Sequence, residues 1–155
     1  MSTFFITGGS GFLGSNLVRS LVEDGHKVSV YDNLSRGNAK SLSKVIKYIE
    51  FYNGDVKNFD ELLLRSKGYE YFIHMAAING TEFFYSKPQE VLDVSIKGIL
   101  NAINVCKENN IRKFIFASSS EVYQNPLVFP TSENVELKIP DVFNPRSSYG
   151  GGKII

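Results

Sequence analysis

Residues 3–14 read T-F-F-I-T-G-G-S-G-F-L-G. The apolar run at 4–6 is typical of a strand buried on both faces, and it ends at a cluster of glycines. From Phe12 the apolar residues recur at helical spacing as far as Asp24-Gly25, where the glycine can take the left-handed conformation that ends a helix. The stretch therefore predicts a strand, a tight glycine turn and a helix in immediate succession.

The glycines fit two overlapping patterns, G-x-x-G-x-x-G and G-x-G-x-x-G. Without side chains the backbone can turn tightly and approach a pyrophosphate, whose charge is favoured by the free N–H groups and the dipole of the helix start. A triphosphate-binding P-loop is excluded, because Gly14 is followed by Ser15 and not by the Lys-Ser/Thr pair. The residues predicted to bind a dinucleotide here are Gly8, Gly11, Phe12, Leu13 and Gly14.

A second strand at 28–31 ends at Asp32-Asn33, and Asp32 follows Gly14 by 18 residues. At that distance a carboxylate can accept hydrogen bonds from the adenosine ribose, and it would repel a 2′-phosphate, so NAD is favoured over NADP. Two alternatives stay open. Asp32-Asn33 could merely start a turn, and Arg36 nearby could accept a 2′-phosphate.

Further strands alternate with helices along the chain. Asn58 and Glu61 resemble a capping box at the start of a short helix, and a long amphipathic helix follows Pro88. This alternation predicts an α/β fold, a Rossmann-like doubly wound parallel sheet. Residues 124–148 contain four prolines and are predicted to form a long loop. The further predicted strands lie at 48–52, 71–73 and 114–117.

Composition narrows the possible partners. The 155 residues are 43% hydrophobic, enough for one core, and the net charge of +1 comes from 17 basic and 16 acidic residues scattered along the chain. We therefore expect neither a nucleic-acid nor a membrane partner. The single cysteine, Cys106, excludes an internal disulfide, and no Cys/His spacing suggests a metal. With no signal peptide in view, a cytoplasmic location is expected.

Six motifs in order resemble the extended short-chain dehydrogenase/reductases, and within them most closely the NAD-dependent sugar-nucleotide epimerases, dehydratases and decarboxylases. The resemblance covers essentially the whole chain. The motifs are T-G-G-x-G-F-L-G, Asp32-Asn33-Leu34, Gly54-Asp55-Val56, His74-Met75-Ala76-Ala77, the segment 118–123 (S-S-S-E-V-Y) and Tyr149-x-x-x-Lys153.

The resemblance implies a role for each of these positions. Ser119 would bond the reacting sugar hydroxyl, Tyr149 would take its proton as general base, and Lys153 would hold the nicotinamide ribose and lower the pKa of Tyr149. A free tyrosine titrates near 10, so a base role needs such help. Asp55 and Val56 would contact the adenine ring, and Ala76 and Ala77 would line the cofactor beyond the fourth strand. The remaining implied cofactor contacts are Asn33 and Ser118.

Several positions have plainer interpretations. Tyr149 and Lys153 are separated by three glycines, so helix propensity alone predicts a loop, whereas the resemblance predicts a helix with both on one face. The serines at 118–120 could form an ordinary turn. Glu121 resembles a second acid or base of decarboxylases and some dehydratases, or it is a surface residue. His74 is expected to be a packed histidine.

The implied chemistry starts with oxidation of a sugar hydroxyl to a transient keto group by resident NAD, with epimerisation, dehydration or decarboxylation to follow. The expected substrate is a nucleotide sugar, and a homodimer is expected at full length. Residues 1–155 are expected to form an NAD-binding domain that stops before the substrate domain of such enzymes. Residues 149–155 are expected to be poorly ordered. The chain departs from the family pattern at two positions: Ser95 stands where an asparagine is common, and Gln124 stands where a glycine is common. The sequence does not explain either difference. The alternative is a stand-alone NAD-binding module with a regulatory or vestigial role.

Overall fold

A computed structural model describes all residues from Met1 to Ile155. Five strands and five α-helices make up the regular structure, together with 3-10 turns at Ala39–Leu42, Ile46–Tyr48 and Ser120–Val122. The strands are β1 (Thr3–Thr7), β2 (Lys27–Asp32), β3 (Ile49–Asn53), β4 (Tyr71–His74) and β5 (Lys113–Phe116). The helices are α1 (Phe12–Glu23), α2 (Phe59–Arg65), α3 (Thr81–Ser86), α4 (Pro88–Glu108) and α5 (Ser147–Ile154).

The five strands form one parallel sheet in the order β3-β2-β1-β4-β5. The chain moves outward from β1 to β3 on one side and then returns to place β4 and β5 on the other. All five carboxyl ends therefore share one edge, with a switch point beside β1 where open α/β sheets bind ligands. The predicted doubly wound α/β fold is confirmed, and each predicted strand lies within two residues of its observed bounds.

The chain divides into two compact units. The first comprises residues 1–76 and 97–117 and contains the sheet, so we call it the sheet unit. The second comprises residues 77–96 and 118–155 and contains α3, the first part of α4, the Ser120–Val122 turn and α5. We call it the helical unit.

Alternation along the strands gives the sheet unit two buried faces. One face carries an aliphatic cluster that includes Ile6, Val28 and Val30 with Val18 of α1. The opposite face is aromatic: the Phe5 ring lies 5.2 Å from that of Phe72, and its centre is 6.0 Å from that of Tyr31. Both faces being apolar explains why β1 reads as a continuous hydrophobic run and not as an alternating one.

His74 is a packed histidine, as expected. It is 1% exposed on the aromatic face, and its Nδ1 lies 2.8 Å from the Thr7 hydroxyl. The capping box at α2 is half formed: the Asn58 side chain accepts from the Glu61 amide, but the Glu61 carboxylate accepts from the Tyr31 hydroxyl. The tertiary hydrogen bond with Tyr31 therefore replaces the bond that the Glu61 side chain would make in a complete capping box.

Two elements differ from what propensity predicts. Helix α3 has no counterpart among the predicted elements, and α5 is helical although three of its eight residues are glycine. Six residues of α5 are buried, including all three glycines. The poor order expected over 149–155 concerns the isolated chain in solution and stays a prediction. The segment between the Ser120–Val122 turn and α5 contains no regular element, so the predicted long loop is confirmed.

Candidate active site

The glycine turn after β1 requires glycine for two separate reasons at Gly8. Its φ is +73°, in the left-handed region, and a Cβ there would lie 2.7 Å from the backbone N of Ala76 and 2.8 Å from the carbonyl carbon of Met75. The Gly8 amide donates to the Tyr31 carbonyl at 3.0 Å, which ties the turn to the end of β2. The turn is therefore fixed between the ends of β2 and β4.

Helix α1 begins directly after this turn with its first amides uncapped by side chains. Its N-cap is Gly11, no side chain caps the amides of the first turn, and that turn contains no acidic residue. Phe12 and Leu13 are 84% and 67% exposed, so the helix start is not covered by the rest of the chain. A Cβ at Gly14 would strike the backbone of Gly8 and Gly9. Free amides behind a side-chain-free turn suit a pyrophosphate.

Asp32 closes the other side of the turn. Its carboxylate is buried and accepts from the Ser10 amide at 3.0 Å and from the Leu34 amide at 2.8 Å. Asp32 therefore starts a turn, as its plainer interpretation predicts, and also anchors the glycine loop, while ribose binding stays a prediction. A carboxylate has about four acceptor positions, so it can still accept from ribose hydroxyls. Asn33 caps the next amide, that of Ser35.

The remaining predicted cofactor residues of the sheet unit lie past the ends of β3 and β4. Asp55 accepts from the Lys57 amide at 2.9 Å, and Val56 is buried, with its carbonyl accepting from Asn101 at 3.0 Å. Ala76 follows His74 of β4 by two residues. The structure therefore brings the predicted dinucleotide residues of this unit to the carboxyl edge of one sheet. The members are Gly8, Gly11, Phe12, Leu13, Gly14, Asp32, Asn33, Asp55, Val56 and Ala76.

Ala77 and Ser118 each begin a segment of the helical unit. Ala77 is half-buried, and Ser118 is exposed. Ser119, half-buried, precedes the Ser120–Val122 turn, and its hydroxyl accepts from the Glu121 amide at 3.2 Å. The serines therefore do form a turn, as their plain interpretation predicts.

Tyr149 and Lys153 lie one helical turn apart on α5, and each is only 6% exposed. The Tyr149 ring stacks on Phe84 of α3 at 5.0 Å with an interplanar angle of 20°. A Cβ at Gly152 would lie 2.7 Å from the Cβ of Ser95, so glycine there is required by the close approach of α4. This packing overrides the poor helix propensity of the three glycines.

The pKa of Tyr149 is raised, chiefly because burial disfavours the phenolate. A hydrogen bond with Ser119 lowers it in part, and the negative charge of Glu121 raises it further. The lowering by Lys153 that the resemblance implied stays a prediction. Burial also lowers the pKa of Lys153, to about 8, so its ammonium loses a proton more readily than that of an exposed lysine.

Glu121 forms an ion pair that the sequence did not indicate. Its carboxylate accepts from the Arg146 guanidinium at 2.7 Å, joining the Ser120–Val122 turn to the N-cap of α5. Gln124, at φ +52°, donates its side-chain amide to the Glu121 carbonyl. The left-handed φ explains why a glycine would suit position 124, and the amide bond shows what glutamine does there. The only feature of the sequence that could have suggested this ion pair is the position of Arg146, three residues before Tyr149.

A cavity of about 640 Å³ opens in the helical unit beside the same turn. Its lining offers hydroxyl, amide and aromatic groups and no charged side chain, and it includes neither Tyr149 nor Lys153. The lining residues are Ser120, Tyr123, Gln124, Asn125, Pro126, Phe129 and Thr131.

Comparison with known proteins decides the family. The model of the NAD dependent epimerase/dehydratase family matches residues 4–155. The chain belongs to this family. The family's cofactor is NAD, in agreement with the cofactor that the glycine turn and Asp32 predict. The predicted membership of this family is confirmed.

Individual relatives are similar over nearly the whole chain. A UDP-glucose 4-epimerase of Yersinia enterocolitica is 32% identical over 159 residues, which cover 99% of this chain and 46% of the relative. The crystal structure of the UDP-glucose 4-epimerase of Thermotoga maritima, with UDP-glucose, is 31% identical with a TM-score of 0.84, covering 98% of this chain and 48% of that one.

The Bifidobacterium longum UDP-glucose 4-epimerase, in complex with NAD⁺ and UDP, is 27% identical with a TM-score of 0.86. The match covers 99% of this chain and 46% of that one. The chain therefore spans about half the length of the relatives it matches.

The structure holds no group of three or more His, Cys, Asp or Glu side chains placed to bind a metal ion. None of its helices combines the length and the apolar character that crossing a membrane requires.

Proposed function

We propose that this chain carries the NAD site and the Tyr/Lys pair of a sugar-nucleotide epimerase/dehydratase that oxidises a sugar hydroxyl to a transient keto group. The observation that carries the proposal is the uncapped start of α1 behind a glycine turn anchored by Asp32. Family membership and relatives that act on UDP-sugars support the same function.

The sheet unit fits NAD in its chemistry. The amides of Phe12, Leu13 and Gly14 offer three donors at the positive end of α1, where a diphosphate is favoured. Asp32 offers charged acceptors for ribose hydroxyls and disfavours a 2′-phosphate. NAD, when bound, would supply the hydride acceptor, and the proton transfers are proposed to use side chains of this chain.

In the helical unit, Tyr149 is the proposed general base. Because burial raises its pKa, the phenol stays protonated at neutral pH until an additional interaction favours the phenolate. Ser119 already supplies one such interaction and is proposed to bond the reacting hydroxyl. Lys153 is proposed to hold the ribose beside the nicotinamide. Its position on α5, one helical turn from Tyr149, supports this role.

In dehydration or decarboxylation a further group must exchange a proton with the oxidised sugar, and Glu121 is proposed for that role. Epimerisation, dehydration and decarboxylation all begin from the keto sugar, so this residue bears on which isomerase or lyase reaction follows. The negative charge that Glu121 places near Tyr149 supports its proximity to the reacting carbon.

Three finer expectations belong to the same proposal. The complete protein is proposed to add a substrate domain, because its relatives are about twice as long. It is proposed to be a homodimer, supported by the half-exposed Leu100 and Ile103 on α4. A cytoplasmic location is supported by the one cysteine, which is free and buried.

The first test is a calorimetric titration of the chain with NAD and with NADP. We expect binding of NAD and markedly weaker binding of NADP. Asp32→Asn should weaken NAD binding by roughly tenfold to a hundredfold, because a charged acceptor is lost. Asp24→Asn at the other end of α1 is the matched control. Absence of binding to either dinucleotide would refute the proposal.

The second test separates the enzyme from a stand-alone NAD-binding module. The complete protein is incubated with UDP-, GDP-, CDP- and dTDP-sugars, and the products are identified by NMR. Conversion of a sugar supports the enzyme function if the Tyr149→Phe substitution abolishes that conversion. NAD binding without conversion of any sugar favours the module, for which no particular observation speaks at present.

A further inference from the structure

Glu121 and Arg146 form a charged contact between two elements that are remote in sequence. The 2.7 Å bond joins a carboxylate that is 29% exposed to a guanidinium that is 43% exposed. Charged hydrogen bonds of this length are among the stronger ones, although partial exposure reduces their value. The pair therefore restricts where the Glu121 carboxylate can lie.

The backbone of Glu121 is fixed as well. The Gln124 side chain donates to its carbonyl, and a Cβ at Gly150 would lie 2.9 Å from the Gln124 Nε2 and 3.3 Å from that carbonyl. The Val122 carbonyl accepts from the Lys138 amide at 3.3 Å. With the backbone held at these points, the orientation of the Glu121 carboxylate depends on its side-chain partner, Arg146.

Glu121 also acts on Tyr149. Its charge is one of the causes that raise the pKa of Tyr149. The charged groups near Tyr149 are Glu121 of the Ser120–Val122 turn and Lys153 of α5, and Arg146 at the N-cap of α5 is paired with Glu121. Helix α3 contributes the uncharged Phe84. Arg146 is therefore the cation that compensates the charge of Glu121.

We propose that Arg146 is a positioning residue, whose guanidinium holds the Glu121 carboxylate at the place where it exchanges a proton with the oxidised sugar beside Tyr149. This rests on the proposed function, in which Tyr149 and Glu121 are the two acid–base groups. Arg146 acts through Glu121 and not on the substrate.

The test follows the ionisation of Tyr149 in the complete chain. A fluorinated tyrosine, which ionises nearer neutral pH, is placed at position 149 and titrated by ¹⁹F NMR. Four proteins are compared: the parent, Arg146→Gln, Glu121→Gln and the double variant. Arg146→Lys is the conservative variant, and Arg146→Met, which keeps the packing of the side-chain stem, replaces the glutamine variant should that one not fold.

We expect Arg146→Gln to raise the ionisation midpoint, because it leaves the charge of Glu121 uncompensated. Glu121→Gln should lower the midpoint, and in its presence the loss of Arg146 should have no further upward effect. Arg146→Lys should stay near the parent. An equal shift in both backgrounds, or no shift in either, would overturn the proposal.

Turnover of the complete protein supplies the second measurement, with the sugar nucleotide found in the panel. Arg146→Gln should lower kcat by about tenfold with KM little changed, and Arg146→Lys should restore most of it. Unchanged kcat would overturn the positioning role. Because the titration needs neither NAD nor sugar, a positive titration without turnover would count against the proposed function and leave the placement of Glu121 intact.

Discussion

The ammonium of Lys153 lies 5.9 Å from the centre of the Tyr149 ring, one turn further along α5, and both side chains are more than nine-tenths buried. The pair is therefore held in a largely desolvated place where each charged form is disfavoured. Burial raises the pKa of Tyr149 and lowers that of Lys153 to about 8. The chain alone holds both residues closer to their neutral forms than free side chains would be.

This arrangement predicts a pH dependence of stability. The pKa of Lys153 is about 8 when folded and 10.5 otherwise, so between these values the unfolded chain binds more protons and stability rises with pH. Urea unfolding should show Lys153→Met removing a rise of about 2 kcal/mol between pH 7 and about pH 9.5. Lys107→Met, at an exposed position, is the control. Parallel curves for Lys153→Met and the parent would contradict the prediction.

Gly8→Ala should destabilise the sheet unit by more than about 2 kcal/mol, because an alanine there combines a left-handed φ with backbone contacts of 2.7 to 2.8 Å. Gly25→Ala is a close control, since Gly25 has nearly the same φ, +77°, with nothing within 4 Å of the added Cβ. It should cost only about 1 kcal/mol. Urea denaturation measures both, and equal costs would show that contact at Ala76 is unimportant.

Neighbouring glycines of α5 should respond in opposite directions. Gly152→Ala should destabilise by about 1 to 3 kcal/mol, because its Cβ would press on Ser95. Gly151→Ala should stabilise by up to about 1 kcal/mol, because its Cβ meets only the Ile139 side chain, at 3.4 Å. Combining Gly152→Ala with Ser95→Gly should recover part of the loss. Thermal unfolding decides, and stabilisation by Gly152→Ala would contradict the packing of α4 on α5.

Cys106 should be nearly inert toward alkylation in the folded chain. Burial raises the pKa of its thiol from 9.0 to about 12, so the thiolate is scarce at pH 8. Iodoacetamide should label it at least about 1000-fold more slowly than in urea-unfolded chain. The rate is followed by mass spectrometry. Labelling at comparable rates in both states would mean that the thiol is accessible.

Much of the sheet unit could be predicted from local sequence. Strand β1, the glycine turn and helix α1 have their signals within 23 residues, because burial on both faces, tight turning and helical spacing are short-range patterns. Asp32 could be placed because a strand end fixes its position relative to the turn. The dual use of its carboxylate by the Ser10 and Leu34 amides could not be predicted, because both bonds depend on how the loop after β2 folds back.

The helical unit was harder to predict. Helix α3 is six residues long and has no periodic pattern to detect, and the glycines of α5 favour a loop until Ser95 of α4 and the Glu121 turn pack against them. The partnership of Glu121 with Arg146 spans 25 residues of sequence, most of them irregular. Local propensity carries no information about such a pair, because its formation depends on where the intervening loop ends.

By itself the sequence determined the parallel α/β sheet, the dinucleotide turn, the family and the identity of the candidate acid–base residues. These follow from residue spacing and from atoms that the side chains possess or lack. Only the tertiary structure decided the acid–base states of Tyr149 and Lys153 and the partner of Glu121. Desolvation and charge contact depend on the surroundings that folding assembles, and residue spacing alone carries no information about them.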